Sequence, residues 1–376
     1  MKRLGLFLVV FLVIINVMFA QKQILVKNTL KIDRNAEMVE LKICKKTADI
    51  FKNQFVLKNE AGKEISYQLI RNDKNEVSGL IFQVDVKAKS STVYSISVGK
   101  PAAISFRTFA RFVPERKDDF AWENDLAAYR MYGPALANEN PSNGVDLWLK
   151  RTADTIVSKR YRDELQNGLT YHVDRGNGLD CYKVGHTLGA GGIAPYLNGK
   201  LLVGDHYSRF VIKENGPLRS VFTLYYDKVR VGSEVISQEI TITTIAGTLL
   251  NKAEVKYIGK SETFELAAGI FTHDNKGAKH TNLKAGTIAY AEDAVSDAKI
   301  PSGRNYVGVF IPTKVSESKE QDNHLLLKAN YKPESSFVYY FGGGWSKWKF
   351  ETDKNWFDAV DKFSLATKSP LKVTIK

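Results

Sequence analysis

Cysteine is scarce in this chain. Cys44 and Cys181 are the only two in 376 residues, so no disulfide framework and no cysteine-rich metal knot is available. They lie too far apart in sequence to read as a metal pair, which leaves one long-range disulfide or two buried thiols. Concentrated positive charge is also missing. The formal charge is +13, yet no basic run exceeds a few residues, and the lysines are spread over polar faces and turns. That argues against a nucleic-acid partner. None of the six histidines falls in an HExxH or shares a helical face with another, so a zinc-protease site is not indicated. There is no Walker loop and no GxSxG elbow. The GAGG run at 189–192 does not open a helix within a βαβ unit, so it is no dinucleotide fingerprint. No cofactor is expected, and a divalent metal gathered from distant residues stays open. Repeats and low-complexity tracts are absent.

One long hydrophobic run is present. Lys2 and Arg3 precede an apolar stretch from Leu4 to Phe19, and Ala20 is a cleavage residue, although Met18 stands where a second small residue is expected. The run is short for a membrane span and no second one follows, so export is expected, to the periplasm or beyond, with no membrane anchor after cleavage. For an exported basic protein, an acidic oligosaccharide or polysaccharide is the expected partner, with general solubility as the plain alternative.

Residues 23–99 alternate apolar and polar in short runs (ILVKNTLKI, MVELKIC, GLIFQVDV, TVYSISV) separated by polar turns. Such runs build antiparallel sheets with one wet face. We therefore expect a mainly β protein with a signal peptide over 1–20, a small N-terminal β-sandwich over 21–105, and a large antiparallel β-sandwich over 106–376 that holds the site. Spacing over 145–165 suggests a helix or helical excursion covering the sheet. Asp353 can cap a final helix with Trp356, Val360 and Phe363 at helical spacing; Pro370 stops it, and LKVTIK closes as a strand.

Chemistry-bearing residues crowd YHVDRGNGLDCYKVGHTLGAGGIAPY, 171–196. Asp180 and Tyr182 fall on one face of a short strand, Lys183 follows, and His186 opens a glycine loop that suits a tight turn or a close approach to a ligand. A second cluster is Asp205, His206, Tyr207, Ser208 and Arg209. His273 follows the apolar run LAAGIF, and Trp345 follows three glycines. In FAWENDLAAYRMYG, Trp122, Asn124 and Arg130 suit a sugar, the ring stacking while the polar groups bond hydroxyls. The plain alternative there is a core strand with a buried ion pair. Each group alone is weak, and a strand histidine is more often structural, but together they suggest one shared cleft.

WENDLAAYRMYGPAL, GLDCYKVGHTLGAGGIAPY, AAGIFTHD and FGGGW resemble the secreted bacterial family known as domain of unknown function 4861, over nearly the whole mature chain. The resemblance implies a part in polysaccharide degradation, a second domain like the β-supersandwich of polysaccharide lyases and galactose mutarotases, and β-elimination at a uronic acid by a glycan lyase or a dehydratase. Elimination needs a cation or amide on the carboxylate, for which Arg130, Arg209 and Asn124 are suited. It needs a base near neutrality, His186 or His206, and an acid for the leaving oxygen, Tyr182, Tyr207 or His273. Alternatives are a non-catalytic glycan-binding protein and a glycoside hydrolase, with Glu123, Asp125, Asp180 and Asp205 as carboxylates. An epimerase ranks last, on fold analogy alone.

Overall fold

The computed structural model describes residues 22–45, 47–138, 144–259 and 262–376. The expected signal segment lies outside the described residues.

The alternating N-terminal runs form two antiparallel sheets. One has the order Lys372–Ile375, Lys22–Lys27, Ser91–Val98, Phe55–Lys58; the other is Arg34–Lys42, Val77–Val86, Tyr67–Arg71. Inward residues of the first (Ile24, Val26, Leu57) meet Leu41, Leu80 and Phe82 of the second in one core cluster. Burying each such side chain contributes about 1.5–3 kcal/mol, enough to hold a sandwich of short strands. The closing strand LKVTIK pairs with the first, Ile24 against Ile375 and Val26 against Val373, so the first and last described strands lie side by side.

The larger part stacks an eight-stranded antiparallel sheet on two five-stranded ones. The eight strands run in the order Arg209–Asn215, Arg219–Val231, Glu234–Ile245, Asn251–Ile258, Phe337–Trp345, Pro301–Phe310, Thr287–Val295, Ala278–Asn282. One facing sheet is Gly178–Asp180, Asp146–Lys150, Ala127–Met131, Asp119–Glu123, Phe109–Val113. The other is Lys200–Leu201, Ala190–Leu197, Phe264–Phe271, His324–Tyr331, Glu317–Gln321. A single core cluster runs between them, including Trp122, Tyr129, Leu147, Ile270, Tyr290 and Phe341. The chain is thus mainly β, a small sandwich followed by a large antiparallel supersandwich.

Both outer faces carry a helix. In Thr287–Val295, Ile288 and Tyr290 face the core while Ala289 and Ala291 face outward, and the small outward residues admit the helix Asp353–Lys368. Its Trp356 and Val360 are fully buried there, and Trp356 Nε1 donates to the Val307 carbonyl at 3.0 Å. The cap is Thr352, whose hydroxyl accepts from the Asn355 N–H, so Asp353 belongs to the first turn. The helix expected over 145–165 is split. DLWLK is a buried strand, Leu147 and Leu149 pointing to the core and Trp148 outward. The helix is Val157–Asn167, and buried Glu123 accepts the N–H groups of Ile156 and Val157 at its start. Helical spacing over a short strand and helix in series cannot be told from one longer helix.

The glycine loop is a joint between the two five-stranded sheets. Val145 bridges Gly189 in parallel, and Ala190 N donates to the Val145 carbonyl at 2.7 Å. A Cβ on Gly189 (φ 60°) would lie 2.2 Å from that oxygen, and one on Gly191 (φ 108°) 2.5 Å from Phe341 Cβ. His324 secures the loop: its Nδ1 donates to the Asp322 carbonyl and its Nε2 accepts from Leu188 N at 3.2 Å. Burial lowers its pKa, consistent with a neutral ring in that role. No helix among the described residues is long and apolar enough to cross a membrane.

Candidate functional site

His273 lies two residues past the strand Phe264–Phe271, where the chain turns with φ 46°. Its Nε2 is 2.7 Å from the Lys183 carbonyl, and its Nδ1 is 2.8 Å from Glu292 Oε1. A carbonyl only accepts, so Nε2 carries a proton, and a carboxylate beside Nδ1 favours a second. Burial opposes the charge, but the hydrogen bond and the charge of Glu292 outweigh it, and the His273 pKa is raised. His273 is thus clamped through both ring nitrogens and fixes Glu292.

These two groups border a cleft of about 540 Å³. Its wall is polar: Lys183, Asp274, Asp297, Lys299, Arg304 and Asn305 join them, with Cys181 below. Arg304 lies between Asp293 at 2.8 Å and Asp353 at 2.7 Å. Buried Asn305 donates weakly to Glu292 Oε1 at 3.4 Å. Lys183 pairs with Asp297 at the rim.

His172 stands beside that rim, its Nδ1 3.6 Å from Asp297 Oδ2. The same nitrogen is 2.9 Å from the Asp180 carbonyl oxygen and must donate to it. That fixes the neutral ring as the Nδ1–H tautomer and leaves Nε2 as a lone-pair nitrogen with no hydrogen bond among the described residues. The ring is tilted by 53° against Tyr171, centroids 4.6 Å apart, and its side chain keeps 29% of its surface exposed. A histidine anchored through one nitrogen, with the other accessible, is the arrangement a proton acceptor requires.

The DUF4861 family, a domain of unknown function, matches residues 26–373. The chain belongs to this family. It is 29% identical over 373 residues to uncharacterized protein P7 of Formosa agariphila, covering 94% of this chain and 93% of that protein. Among solved structures it is similar to a glycosyl hydrolase family 38 protein from Enterococcus faecalis (TM-score 0.50, 8% identity, 95% of this chain and 47% of that one). It is also similar to an alpha-mannosidase from Enterococcus faecalis V583 (TM-score 0.47, 8% identity, 95% and 46%). The chain spans about half the length of these two structures. At such identity the first of them speaks to the fold alone.

Within this DUF4861 fold the residues singled out from sequence divide. Lys183, His273 and Tyr182 come together, the Tyr182 and His273 rings 4.8 Å apart. Tyr182 is buried, however, and its hydroxyl donates to the Phe271 carbonyl at 2.9 Å, so it is committed to the scaffold and unavailable as an acid. Tyr207 is likewise buried, bonded to the Asp118 carbonyl. His186 borders one hollow with Lys200, Arg230 and His324, whereas His206 borders another with Tyr207 and Lys228. Neither histidine is among the residues lining the His273 cleft; His172 does not line it either, but it touches the rim at Asp297.

The sugar-platform residues are interior. Trp122 is fully buried with Nε1 on Asn251 Oδ1 at 3.3 Å. Asn124 closes a tight turn, accepting from Leu126 N and donating to the Ile245 and Thr248 carbonyls. Trp345 is buried with Nε1 on the Ser302 carbonyl at 2.6 Å. Arg209 is exposed, its guanidinium 3.5 Å above the Tyr225 ring. Arg130 is buried with Asp146 at 2.6 Å and Asp180 at 2.9 Å, the ion-pair alternative to ligand contact. Cys44 is exposed and Cys181 half-buried, and the two are not joined in a disulfide. Burial raises the Cys181 thiol far above its usual range, which makes it a poor nucleophile.

Sequence reasoning passed over His172, Glu292, Asp297 and Asn305. His172 was visible in the crowded 171–196 stretch. The other three lie on or between strands whose alternation looked ordinary, and only the pairing of Asp293 with Arg304 and of Glu292 with Asn305 sets them at one strand end.

Proposed function

We propose that this protein acts on a carbohydrate outside the cytoplasm, as a carbon–oxygen lyase that eliminates across C4 and C5 of a uronic-acid residue in an acidic oligosaccharide. The observation that carries this reading is His172. Its Nδ1 is fixed on the Asp180 carbonyl, its Nε2 makes no hydrogen bond among the described residues, and its ring stands against Asp297 at the rim of a polar cleft that also carries lysines.

Elimination breaks the C5–H and C4–O bonds and forms C4=C5. In this reading His172 Nε2 takes the C5 proton, and the electron pair of that bond forms the double bond as the C4 oxygen leaves. The protonated imidazole returns the proton to that oxygen, which departs as water or as the hydroxyl of the next sugar. C5–H is weakly acidic, so the adjacent carboxylate must be neutralised while charge develops. Lys183 and Lys299 supply positive charge at the rim, and Asn305 with the His273-clamped Glu292 forms the polar floor.

A two-carboxylate hydrolysis is less well served. It needs one carboxyl kept protonated as acid. Lys183 holds Asp297 below its usual pKa, and Glu292 is already engaged with the His273 ring. Incubation with a panel of uronate oligosaccharides, followed by ultraviolet absorbance and mass spectrometry, tests the assignment. Unsaturated products with either loss of water or chain cleavage are expected. Reducing ends without new absorbance would replace elimination by hydrolysis, and unchanged sugars would leave a binding protein.

A further inference from the structure

His186 took no part in the chemistry above, yet it borders a groove of about 660 Å³ whose composition differs from that of the cleft. Leu197, Leu201, Leu202 and Val203 form an apolar floor. Lys200 and Arg230, both exposed, stand on the rim, and neither makes an ion pair among the described residues. The rim also carries one carboxylate, Asp322. An apolar floor under a net positive rim suits a sugar ring bearing a negative group.

The groove and the cleft are close along the chain. Lys183 lines one and His186 the other, so their Cα atoms are at most about 11 Å apart. Val184 is buried between them, and Gly185 is exposed. Gly185 has φ 59°, and a Cβ built on it would meet no atom within 4 Å. The ridge between the two hollows therefore carries no side chain and has free space above it.

We propose that the cleft and the Lys200–Arg230 groove are two subsites of one track for an anionic oligosaccharide, joined over Gly185. This rests on the cleft being the reacting site, and adds that the ligand is a chain of several acidic sugars, one of which reaches the groove.

The test reads binding, which is separate from turnover. Calorimetry uses disaccharides and hexasaccharides of polygalacturonate, alginate and chondroitin sulfate, with His172→Ala protein as background so that no probe is consumed. At least one hexasaccharide should bind more tightly than its disaccharide. Adding Lys200→Ala with Arg230→Ala should weaken that hexasaccharide about tenfold, as losing two exposed charge contacts does, and leave the disaccharide within about twofold. Gly185→Asn is a second, independent variant, because asparagine tolerates the left-handed backbone while placing a side chain on the ridge. It should also weaken only the hexasaccharide. Equal affinity for both lengths, variants that bind like their parent, or no hexasaccharide binding at all would each overturn the track. An elimination product from wild-type protein alongside any of these would show that the cleft assignment survives without it.

Discussion

Two regions of this molecule gather the same residue types and use them in opposite ways. Around Arg130, three aspartates, three tyrosines and a tryptophan enclose a guanidinium that reaches no solvent: Asp146 at 2.6 Å, Asp180 at 2.9 Å, Asp119 at 3.9 Å, and the Trp148 ring at 5.0 Å. Burial pushes Asp119 up to about 6 even against the pull of Arg130 and Arg116. Around His273 the carboxylates and cations line an open cleft, and the side chains of Glu292, His273 and Asp297 keep 12%, 23% and 44% of their surface. The first cluster pairs its charges internally, although Arg130 Nε has no hydrogen-bond partner, and it is closed to a ligand. The second leaves His172 Nε2, Lys299 and the cleft itself available, and Lys183 is exposed though paired with Asp297. A list of polar residues does not distinguish the two, whereas access does.

The largest expected effect belongs to the closed cluster. Arg130→Met strands buried carboxylates without their counter-charge and should cost about 3–5 kcal/mol in denaturant unfolding. A loss near the 0–1 kcal/mol of an exposed pair would mean that Arg130 is more accessible than described. In the open cleft the effect should move to kinetics. Lys183→Ala should raise KM about tenfold or more on uronate oligosaccharides, the scale of a lost charged contact, with little change in melting temperature. An unchanged KM would remove Lys183 from substrate contact.

The two regions also respond to pH, and the signs can be worked out. Folding raises the His273 pKa through Glu292, so its contribution to stability is complete below the unfolded value of 6.5 and is lost as pH rises through the folded value. Asp119 has the same sign in a lower window: its contribution is complete below 3.8 and is lost as pH rises through about 6. Glu292→Gln should flatten the upper window of a stability–pH profile and spare the lower one. Loss of both windows, or of neither, would show that the two clusters are not separate. The smallest effect is expected outside both regions. Arg209→Ala removes an exposed cation–π contact over Tyr225 and should change stability by about 0.5–1 kcal/mol and turnover not at all.

Much of the fold was legible in the sequence because period-two alternation reports directly on sheets with one buried face, as in the N-terminal runs and in Asn251–Ile258. It failed where strand and helix follow each other closely, at Asp146–Lys150 and Val157–Asn167. The site was legible in part. Lys183 and His273, singled out because they follow strands, do meet at one cleft. Trp122, Asn124 and Trp345 were misplaced because an aromatic beside an amide reads alike whether it faces a sugar or a neighbouring strand. Glu292 and Asn305 could not be found at all, since their proximity is set by the register between two strands. The Gly189–Gly192 run showed that the backbone is tight there. Only the structure shows that the close neighbours are Val145 and Phe341.

The central claim is that the accessible nitrogen of His172 does the chemistry. The most direct measurement follows ultraviolet absorbance and product mass for wild type and His172→Ala on the same uronate oligosaccharide, with melting temperatures compared. A fall in rate of about 10²–10⁴-fold, with the unsaturated product nearly abolished and folding intact, is the expected result. Full turnover by the variant would contradict the claim and return the search to the remaining hollows of the fold.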